Sequence, residues 1–295
     1  MTFHRGAALS TGSTLGYADT ADAGPTSGNG FEHRWADGLA ALQVAGVTDV
    51  RLTLDWARLQ PRPATVDLAW AEWFDRVIMT ADTLGLRVWA TLHDGSVPRW
   101  FDDDGGLGDD ETFTRWWPRW VERAAERFGD SVDGWIPFAE IPAGAPLQPW
   151  RDTWGILGGG RPVVATIDPT RVAVDGLVGR CTSIGVVLPR PWKPDDVVTD
   201  DEFDRAATEW GRLLRDTADA ADSGLVVSGF DPGHHDLEQG AAIVERLTAA
   251  LDDAIRDGVD VELCVLDPAI TGADGSPGLL DRELAPTPAG QAFLS

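Results

Sequence analysis

One glutamate at the end of a short apolar run is the residue in this chain best placed to do chemistry. The run covers residues 135–138, and Glu140 follows it after a single alanine. If the run is a strand of a β/α barrel, its end reaches the rim where active sites are built. A glutamate there can donate a proton to a leaving group if apolar neighbours such as Phe138 and Ile141 raise its pKa. We therefore predict Glu140 as a general acid.

Acidic residues also close four other apolar runs. They are Asp55, Asp94, Asp231 and Asp267. Because strand ends converge on one face of a barrel, these carboxylates are expected on the same rim as Glu140. The alternative is that each acid only caps the helix after its strand. That alternative explains one acid more easily than it explains all of them.

A regular alternation of strands and helices positions these acids. Strands are predicted at 6–11, 49–56, 87–92, 135–138, 183–188, 225–227 and 261–266. Helices are predicted at 31–45, 69–84, 113–128, 202–220 and 241–256. Such alternation is typical of an α/β fold with a parallel sheet. We predict a TIM-type (β/α)8 barrel, as a single domain over residues 1–295. An eighth strand lies at 162–167, or else one repeat is shortened or missing.

Composition narrows the range of partners. The chain has 24 basic and 48 acidic residues, and its net charge is -24. This balance disfavours nucleic acid and anionic membranes as partners. The N-terminus shows no apolar signal core, and no apolar run approaches the roughly 18 residues of a membrane span. We expect a cytoplasmic protein without a disulfide framework, since it has two cysteines.

No cofactor or metal is expected. The segment His234–Asp236 contains two adjacent histidines, whose side chains point apart in extended backbone, so we interpret it as a loop. The segment Gly158–Gly160 lacks the lysine and hydroxyl residue of a phosphate-binding loop.

Several strand ends together resemble glycoside hydrolase family 1, the β-glucosidase family. The matching segments read VRLTLDWARL at 50–59, TLHDGSVP at 91–98 and FGDSVDGWIPFAEI at 128–141. A fourth, IGVVLPRPW at 184–192, is similar to the family's fifth strand. The resemblance implies a β/α barrel that hydrolyses glycosides. It places Glu140 at the acid/base position and Arg51 beside the nucleophile.

The departures from the family pattern concern its catalytic and sugar-binding positions. Ser228 aligns with the nucleophilic glutamate, although the strand at 225 matches either the family's sixth or its seventh strand. Ala139 replaces an asparagine, and Asp94 replaces a histidine that binds sugar hydroxyls. Two further sugar-contacting positions carry Leu263 and Ile270. The chain is therefore identified as a divergent and shortened relative of the family.

The chemistry that remains depends on a second carboxylate. Retaining hydrolysis needs two carboxyls about 5–5.5 Å apart, and inversion needs about 6.5–9.5 Å with a water between them. Serine cannot stabilise an oxocarbenium-like centre, so Ser228 cannot act as the nucleophile. Asp94, Asp231 or Asp267 could instead activate water. Arg51 either assists that group or forms a structural ion pair with Asp94 or Asp55.

Two functions stay open at this point. The first is a divergent glycoside hydrolase acting on a small glycoside, with Glu140, Asp94 and Arg51 as its catalytic residues. The second is an inactive barrel, a pseudo-glycosidase, that binds a carbohydrate or another small ligand. In both cases the partner is a small molecule, and the sequence does not fix the oligomeric state. The candidate substrate-binding residues are His93, Asp55, Ser228, Asp231 and Asp267.

Overall fold

The computed structural model describes residues 3–18, 27–141, 147–221 and 223–295, which form a nearly closed parallel barrel. Its strands are β1 (His4–Leu9), β2 (Asp49–Thr53), β3 (Arg87–Thr91), β4 (Gly134–Trp135), β5 (Val164–Ile167), β6 (Ser183–Val186), β7 (Leu225–Phe230) and β8 (Val261–Leu266). Their spatial order is β4-β3-β2-β1-β8-β7-β6-β5. The predicted (β/α)8 barrel is thus confirmed.

Helices follow the strands and cover the outside of the barrel. They are α1 (Thr11–Thr14), α2 (Phe31–Ala45), α3 (Trp56–Leu59), α4 (Leu68–Thr83), α5 (Arg99–Asp103), α6 (Asp110–Phe128), α7 (Leu147–Leu157), α8 (Asp200–Ala221), α9 (Leu237–Arg256) and α10 (Pro288–Leu294). Across the described ranges, none of these helices has the length and apolar character that crossing a bilayer requires.

The barrel closes between β4 and β5, the two strands at the ends of the sheet order. Strand β4 has only two residues, and Trp135 forms an isolated parallel bridge with Val163 just before β5. The Trp135 amide donates a hydrogen bond to the Pro162 carbonyl at 2.8 Å. A second link above it joins the Ile141 amide to the Thr166 carbonyl, also at 2.8 Å. These bonds hold the segment that carries Glu140 against β5.

Side chains inside and outside the barrel alternate along each strand. The outward residues form the large core between strands and helices. The inward ones form a small separate cluster of Ala8, Trp89, Ile136, Val164, Val226, Leu263 and Val265. This inner cluster fills the lower barrel, so the polar residues at the strand ends lie above an apolar floor.

The structure decides the questions of strand count that the sequence left open. The strand that was uncertain at 162–167 is present as β5 (Val164–Ile167), which brings the total to eight. No repeat is missing, although β4 is very short. The strand beginning at Ser183 is therefore the sixth of this barrel, which corrects its match to the family's fifth strand. The strand that contains Ser228 is the seventh.

Five helices were not predicted, the short α1, α3 and α5 together with α7 and α10, and strands β2 to β6 are all shorter than predicted. Helix α7 contains Pro149 and Gly155, which obscured its pattern, although proline is tolerated in the first turn of a helix. Helix α10 is a short C-terminal helix that begins after its cap, Thr287. Strand β2 ends at Thr53, not at residue 56, because Asp55 caps the short helix α3.

Candidate active site

A buried ion pair joins the second and eighth strands at the rim. The Nη2 atom of Arg51 lies 2.7 Å from Oδ2 of Asp267, and the Arg51 side chain is only 3% exposed. Burial raises the pKa of the Asp267 carboxyl, the Arg51 guanidinium opposes that shift, and the charges of Asp231 and Asp94 reinforce it. Arg51 therefore pairs with Asp267, and not with Asp94 or Asp55 as the sequence analysis considered.

An irregularity in β7 makes room for this arrangement. The pairing of β7 with β8 shifts register between Val227 and Phe230. Within that bulge the Ser228 carbonyl accepts a hydrogen bond of 2.6 Å from Nη1 of Arg51. A Cβ atom on Gly229 would collide with the same Nη1 atom. The bulge and the glycine thus leave room for the Arg51 guanidinium, which contacts β7 through Nη1 and Asp267 through Nη2.

An acidic cavity lies above the ion pair. It has a volume of about 280 Å³, and its walls include Ser10, Ser13, Tyr17, Asp231, Asp267 and Asp274. The Ser10 hydroxyl donates a hydrogen bond of 3.2 Å to Oδ1 of Asp267. Both oxygens of Asp267 thus have partners, which fix the orientation of the carboxylate. Asp267 lines the cavity, and 23% of its side chain is exposed.

Asp94 and His93 follow β3 on the neighbouring part of the rim. Oδ2 of Asp94 accepts a hydrogen bond of 2.6 Å from the Thr11 amide. Its Oδ1 is buried and has no hydrogen-bond partner among the described residues. The His93 ring packs against Phe138, with 5.9 Å between ring centroids. Burial lowers the pKa of His93, and Asp94 opposes that shift.

Asp55 has a structural role. Its side chain is fully buried, forms an ion pair with Arg58, and accepts the Arg58 amide as the N-cap of α3. Burial is the main cause that raises its pKa, and Arg58 opposes the rise. The helix-capping alternative therefore describes Asp55, which is not among the residues that line the acidic cavity.

Glu140 lies on the opposite part of the rim, beside the end of β5. Its side chain is 37% exposed, and its Oε1 atom is 3.6 Å from Nη1 of Arg171. Burial raises the pKa of Glu140, the Asp168 charge adds to the rise, and Arg171 opposes it. The direction is the one a general acid needs. None of the acidic-cavity carboxylates is among the charges that shift Glu140.

A layer of buried hydroxyl groups lies between the inner apolar cluster and the rim. Thr53, Thr91, Thr166 and Ser228 each stand two residues after an inward-facing position of their strands. Their hydroxyl oxygens have no hydrogen-bond partner among the described residues. Buried polar groups are normally satisfied by protein, water or a ligand. This layer makes the upper barrel more polar than the apolar floor below it.

Apart from Asp55, the predicted site residues fall into three groups on the rim. Arg51, Ser228, Asp231 and Asp267 come together at the acidic cavity. Asp94 and His93 lie at the end of β3, and Glu140 lies beside β5. Leu263 and Ile270, at two positions that contact sugar in the family, are both buried in apolar surroundings.

Sequence reasoning missed three residues of the rim. Asp168 ends β5, so the rule that selected the other acids could have found it once that strand was accepted. Tyr17 and Asp274 lie in loops, where no periodic pattern points to them. Tyr17 donates to the Asp94 carbonyl at 3.2 Å, and burial followed by the Asp94 charge raises its pKa.

Metal-ligating side chains do not cluster in the described part of the chain: no group of three or more His, Cys, Asp or Glu could hold an ion there. The adjacent histidines each bond to the loop before α8. His234 Nε2 lies 2.7 Å from the Asp196 carbonyl, and His235 Nδ1 lies 2.9 Å from Asp195.

A parallel β/α barrel with carboxylates on its rim is an architecture that many classes of enzyme share. The sequence model of glycosyl hydrolase family 1 matches residues 19–148 of this chain. That segment includes the strands that carry Arg51, Asp94 and Glu140. The resemblance predicted from the motifs is thus confirmed for the N-terminal part of the chain.

Curated relatives match a part of the chain of similar length. The chloroplastic β-glucosidase-like protein SFR2 of Oryza sativa subsp. japonica is 31% identical over 115 residues, which are 36% of this chain and 18% of that protein. Lactase/phlorizin hydrolase of Homo sapiens is 27% identical over 110 residues, which are 37% of this chain and 6% of that protein. The chain thus spans less than a fifth of these relatives.

Solved structures extend the likeness to the whole barrel. The β-glycosidase BGL167 superposes with a TM-score of 0.80 at 14% identity, covering 99% of this chain and 95% of that one. A family 1 β-glucosidase from Thermotoga maritima gives 0.72 at 11% identity, covering 99% and 96%. The chain has the fold of these enzymes, and it resembles glycoside hydrolase family 1 as a divergent and shortened relative.

Proposed function

We propose that this chain works as a single domain over residues 1–295 and is a divergent glycoside hydrolase acting on a small glycoside. Glu140 serves as the general acid, and Asp267 serves as the second carboxylate in place of the family nucleophile. Glu140 protonates the glycosidic oxygen as its bond to the anomeric carbon breaks. Asp267 takes a proton from the water that attacks that carbon, which gives inversion.

The observation that carries this proposal is the Arg51–Asp267 contact. The resemblance implies that Arg51 lies beside the catalytic carboxylate, and in this chain β7 offers only Ser228 there. The guanidinium instead binds an oxygen of Asp267 at 2.7 Å. Arg51 thus keeps a carboxylate partner at the rim, but one supplied by the neighbouring strand.

The setting of Glu140 supports its role as the acid. A general acid must hold its proton near the working pH, and burial together with Asp168 raises the pKa of Glu140. The partial exposure of the side chain leaves its oxygens open to a substrate above the rim.

A second candidate function is a non-catalytic barrel that binds a carbohydrate or another small ligand in the acidic cavity. One observation favours it. Glu140 is not part of the wall of that cavity, and its charged neighbours are Asp168 and Arg171. In this case the cavity holds the ligand, and no acid reaches the glycosidic bond.

Hydrolysis of a panel of activated nitrophenyl glycosides, covering several sugars and both anomers, tests the proposal. Wild type, Glu140→Gln and Asp267→Asn are compared, with Glu245→Gln and Asp252→Asn as matched controls on exposed positions of α9. General acid catalysis is typically worth about 10²–10⁴-fold, so Glu140→Gln should lose at least two orders of magnitude in rate.

Each outcome decides between the two functions. Hydrolysis that Glu140→Gln and Asp267→Asn abolish, and that the controls retain, supports the enzyme. A wild type that hydrolyses no member of the panel, yet binds sugars in a manner sensitive to Asp267→Asn, supports the binding barrel. If the wild type hydrolyses a glycoside and the Asp267→Asn variant is equally active, Asp267 is not the second carboxylate.

A further inference from the structure

A second cavity, the α8 cavity, takes no part in the proposed reaction. It lies between the loop that follows β6 and the first half of α8, and its volume is about 570 Å³. Glu140 and Asp267 are not among the residues of its wall. Cavities of roughly 300–1,000 Å³ with mostly apolar walls are typical of small-molecule sites.

The apolar part of this wall is fixed by its own hydrogen bonds. It consists mainly of Pro189, Trp192, Val198, Ala206 and Trp210. The Trp192 N–H donates to the Pro232 carbonyl at 3.0 Å, and the Trp210 N–H donates to the Pro189 carbonyl at 2.8 Å. The two indole rings also pack against each other, with 6.1 Å between their centroids. The apolar wall therefore offers a ligand contact area but no indole N–H.

Five charged residues complete the wall, and two of them are neutralised by residues outside it. Glu209 binds Arg212 through both carboxylate oxygens, at 2.9 Å and 2.6 Å. Nη1 of Arg190 lies 2.8 Å from Oδ2 of Asp231. These two pairs leave little charge for a ligand to match.

The other three charged residues keep atoms that a ligand can use. Asp196 accepts a backbone amide of its own loop through Oδ2, and Glu202 accepts the amide and hydroxyl of Thr199 through Oε2. Arg205 donates from Nε to a carbonyl of its own helix at 3.1 Å. Within the described ranges, Oδ1 of Asp196, Oε1 of Glu202 and both Nη atoms of Arg205 have no hydrogen-bond partner.

These free atoms of both signs decide the class of ligand. Glu202 and Arg205 are three residues apart on α8, a spacing that makes their side chains neighbours. An apolar carboxylate would pair with Arg205 but would lie beside two acids, and an apolar amine would have the opposite mismatch with Arg205. A zwitterion pairs with both signs through charge-assisted hydrogen bonds. It also has no net charge, so the net charge of -24 does not repel it.

We propose that the α8 cavity binds a free α-amino acid with a large apolar side chain. The ammonium group binds Asp196 and Glu202, and the carboxylate binds Arg205. The side chain of the ligand packs on the wall formed by Trp192 and Val198. This site is separate from the acidic cavity, and the inference holds whether or not the barrel hydrolyses glycosides.

Calorimetric titration of wild type with four matched probes at pH 7 tests this inference. L-Phenylalanine carries all three recognition elements. 2-Phenylethylamine lacks the carboxylate, 3-phenylpropanoate lacks the ammonium group, and glycine lacks the apolar side chain. Because a hydrogen bond to a charged group contributes enough to change affinity about tenfold, L-phenylalanine should bind at least about tenfold more tightly than each other probe.

Two variants assign the partners of the ligand. Arg205→Gln should weaken L-phenylalanine about tenfold without weakening 2-phenylethylamine. Glu202→Gln keeps an oxygen for the Thr199 amide at the start of α8, and it should weaken L-phenylalanine without weakening 3-phenylpropanoate. Arg161→Gln and Glu245→Gln are the controls and should change neither affinity. Both residues are exposed, and Arg161, like Arg205, donates to a backbone carbonyl.

The location and the class of the ligand are decided together. L-Phenylalanine should shift the indole N–H signals of Trp192 and Trp210 in NMR spectra, and Asp267→Asn should bind it as wild type does. Tighter binding of 2-phenylethylamine or 3-phenylpropanoate than of L-phenylalanine would overturn the inference, and so would the absence of binding. The probe comparison needs only wild type, so it decides even if a variant folds poorly. An Arg205→Gln protein that folds and binds L-phenylalanine like wild type would also reject the site.

Discussion

The two halves of the rim are built differently. On the β7–β8 side, Arg51 and Asp267 are mutually bonded, and Arg51 also holds the Ser228 carbonyl. On the β4–β5 side, Glu140 is 37% exposed, and its nearest cation, Arg171, is 59% exposed at 3.6 Å. One half is a fixed ionic assembly beside a cavity, and the other is a partly exposed carboxyl beside an exposed arginine.

The two halves differ in how strongly each depends on a charge partner. Arg51 is buried on one strand, and losing its carboxylate partner would leave an uncompensated buried charge, which is costly. Asp267, at the end of β8, is that partner in a chain whose β7 carries Ser228 and Gly229. Glu140 is partly exposed to solvent, so its charge does not depend on a buried partner in the same way.

The largest effect on stability is expected from breaking the fixed half. Arg51→Met leaves Asp267 without its cation and removes the bond to the Ser228 carbonyl. Removing one partner of a buried pair usually costs about 3–5 kcal/mol, and the partial exposure of Asp267 favours the lower end, about 3 kcal/mol. Denaturant unfolding at neutral pH measures this loss.

Two comparisons sharpen that result. Arg212→Met removes an exposed arginine from its pairs with Glu209 and Asp216, and should cost no more than about 1 kcal/mol. The double variant Arg51→Met with Asp267→Asn should be more stable than Arg51→Met alone, because no buried charge is left unpaired. A double variant no more stable than the single one would contradict the ion-pair account.

A smaller loss is expected from Gly229→Ala. The added methyl group would meet the Arg51 guanidinium, and overpacking of this kind typically costs about 1–3 kcal/mol. Gly155→Ala on α7 is the control, since a Cβ there has no atom within 4 Å among the described residues, and alanine favours helix. Unfolding curves should show a loss for the first variant and none for the second.

The open half should respond to charge through the pKa of Glu140. Asp168→Asn removes a charge that raises this pKa, so the pKa should fall. Arg171→Met removes the opposing cation, so it should rise. A general acid loses activity as pH increases through its pKa, and the alkaline limb of the pH–rate profile should move down in the first variant and up in the second.

Carbon NMR titration of the Glu140 carboxyl measures the same shifts without turnover. Asp175→Asn, at an exposed position of the same connection, should leave the titration unchanged. Shifts of one sign in both variants would show that the two side chains do not act on Glu140 through their charges.

The smallest effect concerns the stability of Glu140→Gln. A carboxyl whose folded-state pKa is raised costs stability above that pKa, and the cost disappears as pH falls below the unfolded-state value. Glutamine should therefore stabilise the fold at pH 7 by less than about 0.5 kcal/mol, and the gain should vanish near pH 4. A larger gain at acid pH than at neutral pH would have the wrong sign.

The barrel could be predicted from the sequence because its signals are local. Alternating apolar runs and amphipathic helices place the strands, and even the doubtful run at 162–167 proved to be β5. The rule that acids follow strand ends placed Asp231 and Asp267 on one rim, where Arg51 also lies. The capping role of Asp55 was also among the alternatives that this rule left open.

The partner of Arg51 could not be predicted in the same way. It depends on a register shift in β7 and on the space left by Gly229, neither of which has a periodic signature. The walls of the acidic cavity come partly from loops, where Tyr17 and Asp274 lie. The cavity between the loop after β6 and the first half of α8 depends on how these two segments pack, which is a tertiary contact.

The rate of the double variant on the best substrate of the panel shows whether Glu140 and Asp267 form one catalytic pair. Groups that act as a unit are not additive in their effects on rate. If these two carboxyls act as a unit, Glu140→Gln combined with Asp267→Asn should be about as slow as the slower single variant. Losses that multiply, or an Asp267→Asn enzyme as fast as wild type, would contradict it.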